Sequence, residues 1–335
     1  MKKYLRALLV SVLVLSTLAG CGKQSDKEPN DNELIVLREA VMTGHFSQYV
    51  TIIGLEKGIF EKYGIDLQVT EFAYGINTLD AVSVGLADFG FTASFATVNR
   101  FGNSKEGTDL VIFSNIYGKY AAQGGLYVAP QYYDNPDALD GSEGFIITIG
   151  TQSEYDTGRV IEYIGLDENN QNFLNTTGTD VTLALVQEGR ASGIVTSGAT
   201  ARRISEDYGW KEYVSAKDVG LSSSNQYITT REFASENAEL LANFLLASEE
   251  IYAYINSNLD ECSELVANRL GAEAADVKSA MTCYVLSVDL PEDEIELLED
   301  IGTWAVAHGK YEENFNIRDY ITLDVLELKE ELKSK

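Results

Sequence analysis

Short apolar segments alternate along the chain with longer segments whose apolar residues recur at helical spacing. Leu34–Val41 and Ile65–Phe72 are predicted strands, and between them Tyr49–Lys62 is a predicted helix that ends before Gly64. The alternation continues through predicted strands at Ala87–Thr92, Leu110–Ile116, Gly125–Val128, Phe145–Gly150 and Gly193–Thr196 and predicted helices at Ile76–Gly85, Tyr155–Ile164, Asp180–Arg190 and Ala199–Tyr208. From Arg231 onward the pattern is almost wholly helical. This order predicts an α/β fold of parallel sheets with helices on both faces.

Two stretches of the chain carry the same pattern. Residues 78–92 and 182–196 both read Thr-Leu-x-x-Val-x-x-Gly-x-Ala-x-x-x-x-Thr. Each predicts a helix, a glycine stop and a strand that ends in small polar residues. The repeat indicates two similar α/β lobes that face a shared cleft, because ligands of open α/β sheets bind beyond the carboxyl ends of the strands. A chance likeness between two ordinary helix–strand units is the alternative.

The charge balance excludes one class of function. Asp and Glu number 52 against 25 Lys and Arg, which gives a formal net charge of −27. Phosphate backbones and anionic lipid headgroups would repel such a chain, so nucleic-acid binding is not expected. The acidity is otherwise that of a soluble surface.

The N-terminus has the layout of an export signal. Three basic residues within the first six positions precede the apolar run ALLVSVLVLSTL, which is too short to span a bilayer. Leu18-Ala19-Gly20-Cys21 follows and resembles the bacterial lipobox, in which the cysteine is lipidated and becomes the mature N-terminus. We therefore expect a signal peptide over residues 1–20 and a flexible tether over residues 21–33.

Two further cysteines remain if Cys21 is lipidated. Cys262 and Cys283 lie on either side of Gly271, within a predicted helical hairpin that would bring them to a similar level. Export permits a disulfide, but the rotation of each helix is unknown, so a bonded pair and two buried free thiols both stay open.

Several segments resemble a known family. Residues 54–67 (GLEKGIFEKYGIDL), 79–92, 151–155 (TQSEY) and 230–237 (TREFASEN) are similar, in order and spacing, to segments of bacterial extracellular solute-binding proteins of ABC transporters. The resemblance is to their nitrate/sulfonate/taurine and thiamine-pyrimidine-precursor branch. It implies a two-lobed periplasmic-binding-protein-like fold with two crossovers and a helical C-terminal segment. Lobe one is then expected over 34–120 and 222–335, and lobe two over 121–221.

The resemblance also implies a function. The chain would be the lipid-anchored, monomeric solute-binding subunit of an importer on the extracytoplasmic face of the cell membrane, with a permease and a separate ATPase as partners. It would capture a small organic or anionic solute and need no cofactor or metal. A lipid-anchored ligand-sensing receptor module is the alternative. An exported enzyme is disfavoured, since His45 and His308 are far apart and no catalytic motif occurs.

Candidate site residues follow strands or begin helices. Helix N-termini and small hydroxyls suit carboxylate, sulfonate or nitrate, and aromatic side chains could wall a ring or an alkyl chain. The expected ligand contacts are Gly44, His45, Phe46, Gly75, Asn77, Thr92, Ala93, Ser94, Gln152, Ser153, Tyr155, Thr196 and Ser197. Tyr117 and Tyr120 are expected at the first crossing between the lobes. Hinge closure is expected at Ile116–Gly125 and Gly220–Tyr227.

Overall fold

The structure is a computed structural model that describes residues 34–104, 107–121, 123–313 and 315–335, with the backbone only at 119–121. The predicted signal peptide, tether and lipidation site at Cys21 lie outside the described residues. Among those described, no helix combines the length and apolar character needed to span a bilayer.

Ten strands and fifteen α-helices alternate within the described residues. The strands are β1 (Ile35–Met42), β2 (Ile65–Phe72), β3 (Phe89–Ala93), β4 (Leu110–Ala121), β5 (Gly125–Val128), β6 (Phe145–Ile147), β7 (Phe173–Asn175), β8 (Gly193–Thr196), β9 (Lys211–Ser215) and β10 (Ser222–Thr230). The helices are α1 (Phe46–Glu56), α2 (Ile59–Lys62), α3 (Gly75–Ser83), α4 (Ser94–Gly102), α5 (Pro130–Tyr133), α6 (Gln152–Tyr163), α7 (Thr179–Gln187), α8 (Gly198–Tyr208), α9 (Ala216–Val219), α10 (Arg231–Glu236), α11 (Ala238–Ser257), α12 (Leu259–Leu270), α13 (Ala274–Met281), α14 (Glu292–Ala307) and α15 (Asp324–Lys333).

The strands form two sheets, and the two-lobed α/β prediction is confirmed. The first sheet, with its helices, is lobe one and has the order β2-β1-β3-β10-β4; the second is lobe two and has the order β7-β6-β8-β5-β9. Strands β1, β2 and β3 are parallel, as are β6, β7 and β8. β10 and β5 run antiparallel to both of their neighbours, so the sheets that we predicted to be parallel are mixed. Each of these strands arrives from the opposite lobe and enters its sheet against the direction of the strands already there.

The two crossings between the lobes run side by side. β4 leaves lobe one and β10 returns to it. The last residue of β4, Ala121, pairs with the first residue of β10, Ser222. The register shifts on either side of Asn225 and again beyond Tyr227. The lobes are therefore joined by an irregular antiparallel ribbon, close to both predicted hinges. The exact lobe boundaries stay a prediction.

Apolar packing lies on both faces of the first sheet and around the second. One cluster contains Phe89, Phe113 and Tyr227 with helices α1, α11 and α12, and the opposite face packs on α3, α4 and α14. A third cluster fills lobe two around Phe145 and Trp210. The C-terminal helices therefore complete the core of lobe one and position the sheet that borders the cleft.

Some helices and strands differ from the prediction, because of a glycine conformation in one place and a polar strand sequence in another. The single helix predicted over Tyr49–Lys62 is two helices, because Gly58 adopts a left-handed φ of 63° between α1 and α2. Strands β7, β9 and β10 were not predicted. Cys262 and Cys283 are both free thiols, with Cys262 buried, so the disulfide alternative is not formed.

The last helix is fixed by one buried lysine. The Lys329 side chain is 1% exposed, and its Nζ lies 2.9 Å from a carboxylate oxygen of Glu249 and 2.7 Å from one of Asp289. Glu330 lies 3.1 Å away. This ammonium therefore ties α15 to α11 and to the segment before α14.

Candidate functional site

A cavity of about 290 Å³ lies between the lobes, beyond the ends of β1 and β3. Its walls come from lobe one, from the β10 crossing and from the loop that follows β6. We call it the aromatic chamber, because five of its lining residues carry rings: His45, Tyr74, Phe91, Tyr117 and Tyr284. The other lining residues among those described are Met42, Gly75, Ile76, Thr92, Ala93, Ala96, Thr148, Thr151, Gln152, Ser223 and Asn225.

A second cavity of about 220 Å³ adjoins the first and shares Tyr74 and Thr148 with it. We call it the hydroxyl chamber, because seven of its lining residues are threonines or serines: Thr148, Ser153, Thr176, Thr179, Thr182, Thr196 and Thr200. A larger hollow of about 410 Å³, beside Arg100 and Thr230, is lined by lobe one alone. A cavity of about 230 Å³ beside Tyr155 and Arg159 is also lined from both lobes, but no carboxyl end of a strand contributes to it. The two chambers are therefore the candidate site, since their walls come from both lobes and include the carboxyl ends of strands.

His45 is held in the aromatic chamber by the start of α1. It is the N-cap residue, and its Nδ1 accepts a hydrogen bond from the Ser47 backbone N–H at 3.2 Å. The neutral ring then carries its proton on Nε2, which can donate to the Tyr117 hydroxyl at 3.3 Å. The Asn225 side-chain nitrogen lies 3.1 Å from the same Nε2, and because it is itself a donor, this assignment requires the Asn225 amide to turn its oxygen toward His45. Burial lowers the pKa of His45 to about 4. At neutral pH the ring is therefore an uncharged donor.

Two stacked ring pairs form part of the chamber wall. The His45 ring stacks on Phe91 with centroids 4.7 Å apart, and Tyr117 stacks on Tyr284 at 4.1 Å. No Lys, Arg, Asp or Glu occurs among the lining residues that the structure describes. The chamber therefore offers ring faces and neutral hydrogen-bonding groups.

Glycine allows a close approach where α3 begins. A Cβ at Gly75 would lie 2.8 Å from the Thr92 hydroxyl and 3.3 Å from the Phe91 carbonyl oxygen, so any other residue would force the end of β3 or the Thr92 side chain to shift. The Thr78 hydroxyl fixes the same junction, donating to the Phe91 carbonyl oxygen at 2.6 Å. In this copy of the repeat the first threonine is thus structural, and the last, Thr92, lines the chamber.

Gln152 joins the two lobes beside the chamber. Its side-chain oxygen accepts hydrogen bonds from the Phe95 backbone N–H at 3.1 Å and from the Ser94 hydroxyl at 3.3 Å. Its side-chain nitrogen donates to Asp156 at 2.9 Å, and burial raises the pKa of Asp156 to about 7. The N-terminus of α4, predicted to hold an anion, is therefore bonded to a neutral amide of lobe two.

The structure brings seven of the thirteen predicted residues to the chambers. His45, Gly75, Thr92, Ala93 and Gln152 line the aromatic chamber, and Ser153 and Thr196 line the hydroxyl chamber. Tyr117 also lies in the wall, as predicted for a residue at the crossing. The side chain of Tyr120 lies outside the described residues. That these residues contact a ligand stays a prediction.

Six predicted residues do not line either chamber. Phe46 is 1% exposed and packs behind Tyr284, because it follows the N-cap and points into the core. Tyr155 is buried against Phe95, at 5.6 Å between centroids, and against Trp304. The others outside the lining are Gly44, Asn77, the buried Ser94 and the exposed Ser197.

Sequence reasoning missed several lining residues. Ser223 and Asn225 lie in β10, whose polar run SSSNQ did not resemble a strand. Tyr284 comes from the C-terminal helical region, far along the chain from the other rings. Tyr74 and Thr148 follow strands β2 and β6, so the strand-end rule that selected Thr92 could also have found them.

A second contact between the lobes lies along α14. Trp304 packs on α6, where a Cβ at Gly158 would lie 2.5 Å from the indole ring. His308 Nε2 lies 2.8 Å from Glu162, and Lys310 Nζ lies 2.8 Å from Glu154. The described conformation is therefore one in which the lobes touch beyond the crossing strands.

Three acidic side chains lie close enough together to bind a metal ion. Glu249, Asp289 and Glu330 have carboxylate oxygens within 4.8 Å of one another. All three are within ion-pair distance of Lys329, whose ammonium already supplies a cation there. The group is therefore explained by Lys329.

Solved structures share this architecture. The alkanesulfonate-binding protein SsuA from Xanthomonas axonopodis pv. citri, bound to MOPS, superposes with a TM-score of 0.72 at 14% identity, over 87% of this chain and 99% of that one. The aliphatic sulphonate binding protein SsuA from Escherichia coli gives a TM-score of 0.71 at 17% identity, over 85% and 97%. The nitrate-binding protein NrtA from Synechocystis PCC 6803 gives 0.66 at 12% identity, over 90% and 89%. At these identities the likeness is one of fold.

Sequence comparison adds the family. No curated protein matches the chain significantly in sequence. The profile of the NMT1/THI5-like family matches residues 46–261, well over half of the chain and both sides of the cleft. The chain belongs to the NMT1/THI5-like family.

Proposed function

We propose that the chain is the substrate-binding subunit of an ABC importer and captures a small organic or anionic solute between its lobes. The observation that carries this proposal is the pair of adjoining cavities with walls from both sheets. Family membership and the likeness to proteins that bind sulfonates and nitrate support it. Small solutes fit cavities of this size, because each cavity lies below the range of roughly 300–1,000 Å³ that is typical of sites for drug-sized ligands.

In this proposal the predicted residues that line the chambers contact the solute. His45, Thr92 and Gln152 would supply hydrogen-bonding groups in the aromatic chamber, and Ser153 and Thr196 in the hydroxyl chamber. Capture would follow a rotation of residues 121–221 against the rest of the chain about the β4–β10 ribbon.

The anchor and the partners belong to the same proposal. Cys21 would carry the lipid and hold a monomeric body on the extracytoplasmic face of the membrane. A permease would receive the solute, and a separate ATPase would drive its transport. The absence of catalytic action is likewise proposed, on the ground that the sequence holds no known catalytic motif and that the similar solved structures include sulfonate- and nitrate-binding proteins.

Binding and transport are tested together. A thermal-shift panel of nitrate, taurine, ethanesulfonate and 4-aminopyrimidine should contain a compound that stabilises the mature protein, and Asn225→Ala should abolish the shift. Deletion of the gene should abolish cellular uptake of the same compound, measured with an isotopically labelled sample. Binding without any loss of uptake would favour a sensory receptor, and conversion of the bound compound would favour an enzyme.

A further inference from the structure

The two chambers differ in chemistry, although they adjoin each other and share two lining residues. The aromatic chamber presents stacked rings, and the hydroxyl chamber presents threonine and serine side chains. Both are small, and Tyr74 and Thr148 line both of them. A solute that filled only one chamber would leave the other to water.

The hydroxyl chamber holds polar groups that are not used within the protein. The side-chain hydroxyls of Ser153, Thr179, Thr196 and Thr200 make no hydrogen bond to another described residue, whereas Thr176 and Thr182 bond to each other at 3.2 Å. Neutral hydroxyls both donate and accept, so they suit a group rich in oxygen atoms.

The aromatic chamber is suited to a flat group. Its stacked pairs, His45 with Phe91 and Tyr117 with Tyr284, present ring faces and edges. Offset stacking and edge contacts with such rings add to the burial of apolar area. The polar groups near these rings, at Asn225 and Ser223, could bond to the edge of a heterocycle.

Tyr74 lies at the junction of the two chambers. It is the N-cap residue of α3 in lobe one, and its hydroxyl would lie 3.6 Å from a Cβ built at Gly178, at the start of α7 in lobe two. It therefore spans the cleft at the junction of the chambers.

We propose that the cleft takes a solute with two chemically different ends, a planar ring in the aromatic chamber and an oxygen-rich group in the hydroxyl chamber. This inference rests on the proposed function of solute capture and specifies its substrate class. The oxygen-rich group could be a sulfonate, a phosphate, a carboxylate or a diol, all of which offer oxygen atoms to hydroxyls. Tyr74 acts as a specificity residue because it lies where the two ends meet.

Calorimetry with matched probes tests the inference. The two-ended probes are benzenesulfonate, phenyl phosphate, benzoate and 3-phenylpropane-1,2-diol; the one-ended probes are pyridine, methanesulfonate, inorganic phosphate, acetate and glycerol. At least one two-ended probe should bind at least about tenfold more tightly than either of its halves, since stacking and hydrogen bonds then add. A one-ended probe that binds as tightly as every two-ended probe would overturn the inference, as would the failure of all two-ended probes at 10 mM.

Chamber-specific variants locate the two ends. Tyr284→Leu and Thr196→Val should each weaken the best two-ended probe by about three- to tenfold or more, and Thr196→Val should leave the ring-only probe unchanged. The exposed Tyr163 and Thr303 provide matched controls as Tyr163→Leu and Thr303→Val. Circular dichroism identifies a variant that misfolds; His45→Asn, which removes a chamber ring and keeps the N-cap, then replaces Tyr284→Leu, and Thr200→Val replaces Thr196→Val. Equal loss of all probes in both variants would overturn the two-chamber assignment.

The inference and the proposed function fail separately. A one-ended solute whose uptake requires this gene would overturn the two-ended class and leave the importer function standing. A two-ended probe that binds in the chambers, without any dependence of uptake on the gene, would do the reverse.

Discussion

The side-chain oxygen of Gln152 accepts a hydrogen bond from the backbone N–H of Phe95 at 3.1 Å, and so joins the first turn of α6 in lobe two to the first turn of α4 in lobe one. The same oxygen accepts from Ser94, and the side-chain nitrogen donates to Asp156. One side chain thus connects both lobes at the edge of the aromatic chamber.

Gln152→Ala should favour separation of the lobes. It removes the two hydrogen bonds that bridge them, each worth about 0.5–1.5 kcal/mol, so the equilibrium between open and closed forms should shift about five- to 150-fold. Small-angle X-ray scattering without solute should show a larger radius of gyration. The exposed Gln187 on α7 supplies the control Gln187→Ala. Scattering identical to that of the wild type would contradict the prediction.

Glu39→Gln should stabilise the protein at neutral and alkaline pH. The Glu39 side chain is 1% exposed, and burial raises the pKa of its carboxyl to about 8. Between the unfolded pKa of 4.5 and about 8 the folded state alone keeps the proton, so stability falls as pH rises, by up to about 1.4 kcal/mol per pH unit. Chemical denaturation from pH 4 to 9 should show this slope in the wild type and in Glu56→Gln, a surface control. A slope that persists in Glu39→Gln would contradict it.

His45→Asn should reduce the sensitivity of folding to acid. Burial lowers the pKa of His45 from 6.5 to about 4, so the unfolded state binds the proton first and stability falls as pH drops between these values. Asparagine is a strong N-cap residue, so the start of α1 is retained. Thermal unfolding between pH 4 and 7 should show a flatter profile for the variant. Parallel profiles would show that another group carries the acid sensitivity.

Lys329→Met should destabilise the C-terminal region. The change keeps much of the apolar stem but leaves the carboxylates of Glu249, Asp289 and Glu330 without their shared cation. Because these carboxylates are partly exposed and can rehydrate, we expect a loss of about 1–3 kcal/mol, below the cost of breaking a fully buried pair. Lys333, which is 49% exposed beside two of the same acids, supplies the control Lys333→Met. Equal denaturation midpoints for the two variants would contradict the prediction.

Cys21→Ala should prevent anchoring. The sequence Leu18-Ala19-Gly20-Cys21 predicts lipidation at this cysteine, so the variant should leave the detergent phase in a phase-partition assay. Cys283→Ala is the matched control and should partition like the wild type. Retention of Cys21→Ala in the detergent phase would show that another segment holds the protein at the membrane.

Apolar runs that end at glycine predicted most of the α/β order, because such runs are buried in the sheets and bounded by turns. Strand β10 escaped prediction because its buried residues are polar and bond to one another, as when the Gln226 side-chain nitrogen donates to the Ser224 hydroxyl at 2.8 Å. In the site, strand ends predicted Thr92 and Thr196. Proximity in sequence could not tell which way Phe46 and Tyr155 point, and it could not bring Tyr284 to the chamber, because tertiary packing decides both.

The pairing of β4 with β10 has a mechanical consequence. Two strands that cross between lobes as one hydrogen-bonded ribbon resist sliding past each other, but they can bend where their register shifts. One such irregularity is at Asn225, which also lines the aromatic chamber and contacts His45. A point where the ribbon can bend thus falls within the wall of the aromatic chamber. A solute bound to Asn225 would load the ribbon where it flexes, so the angle between the lobes and the affinity for the solute are coupled variables.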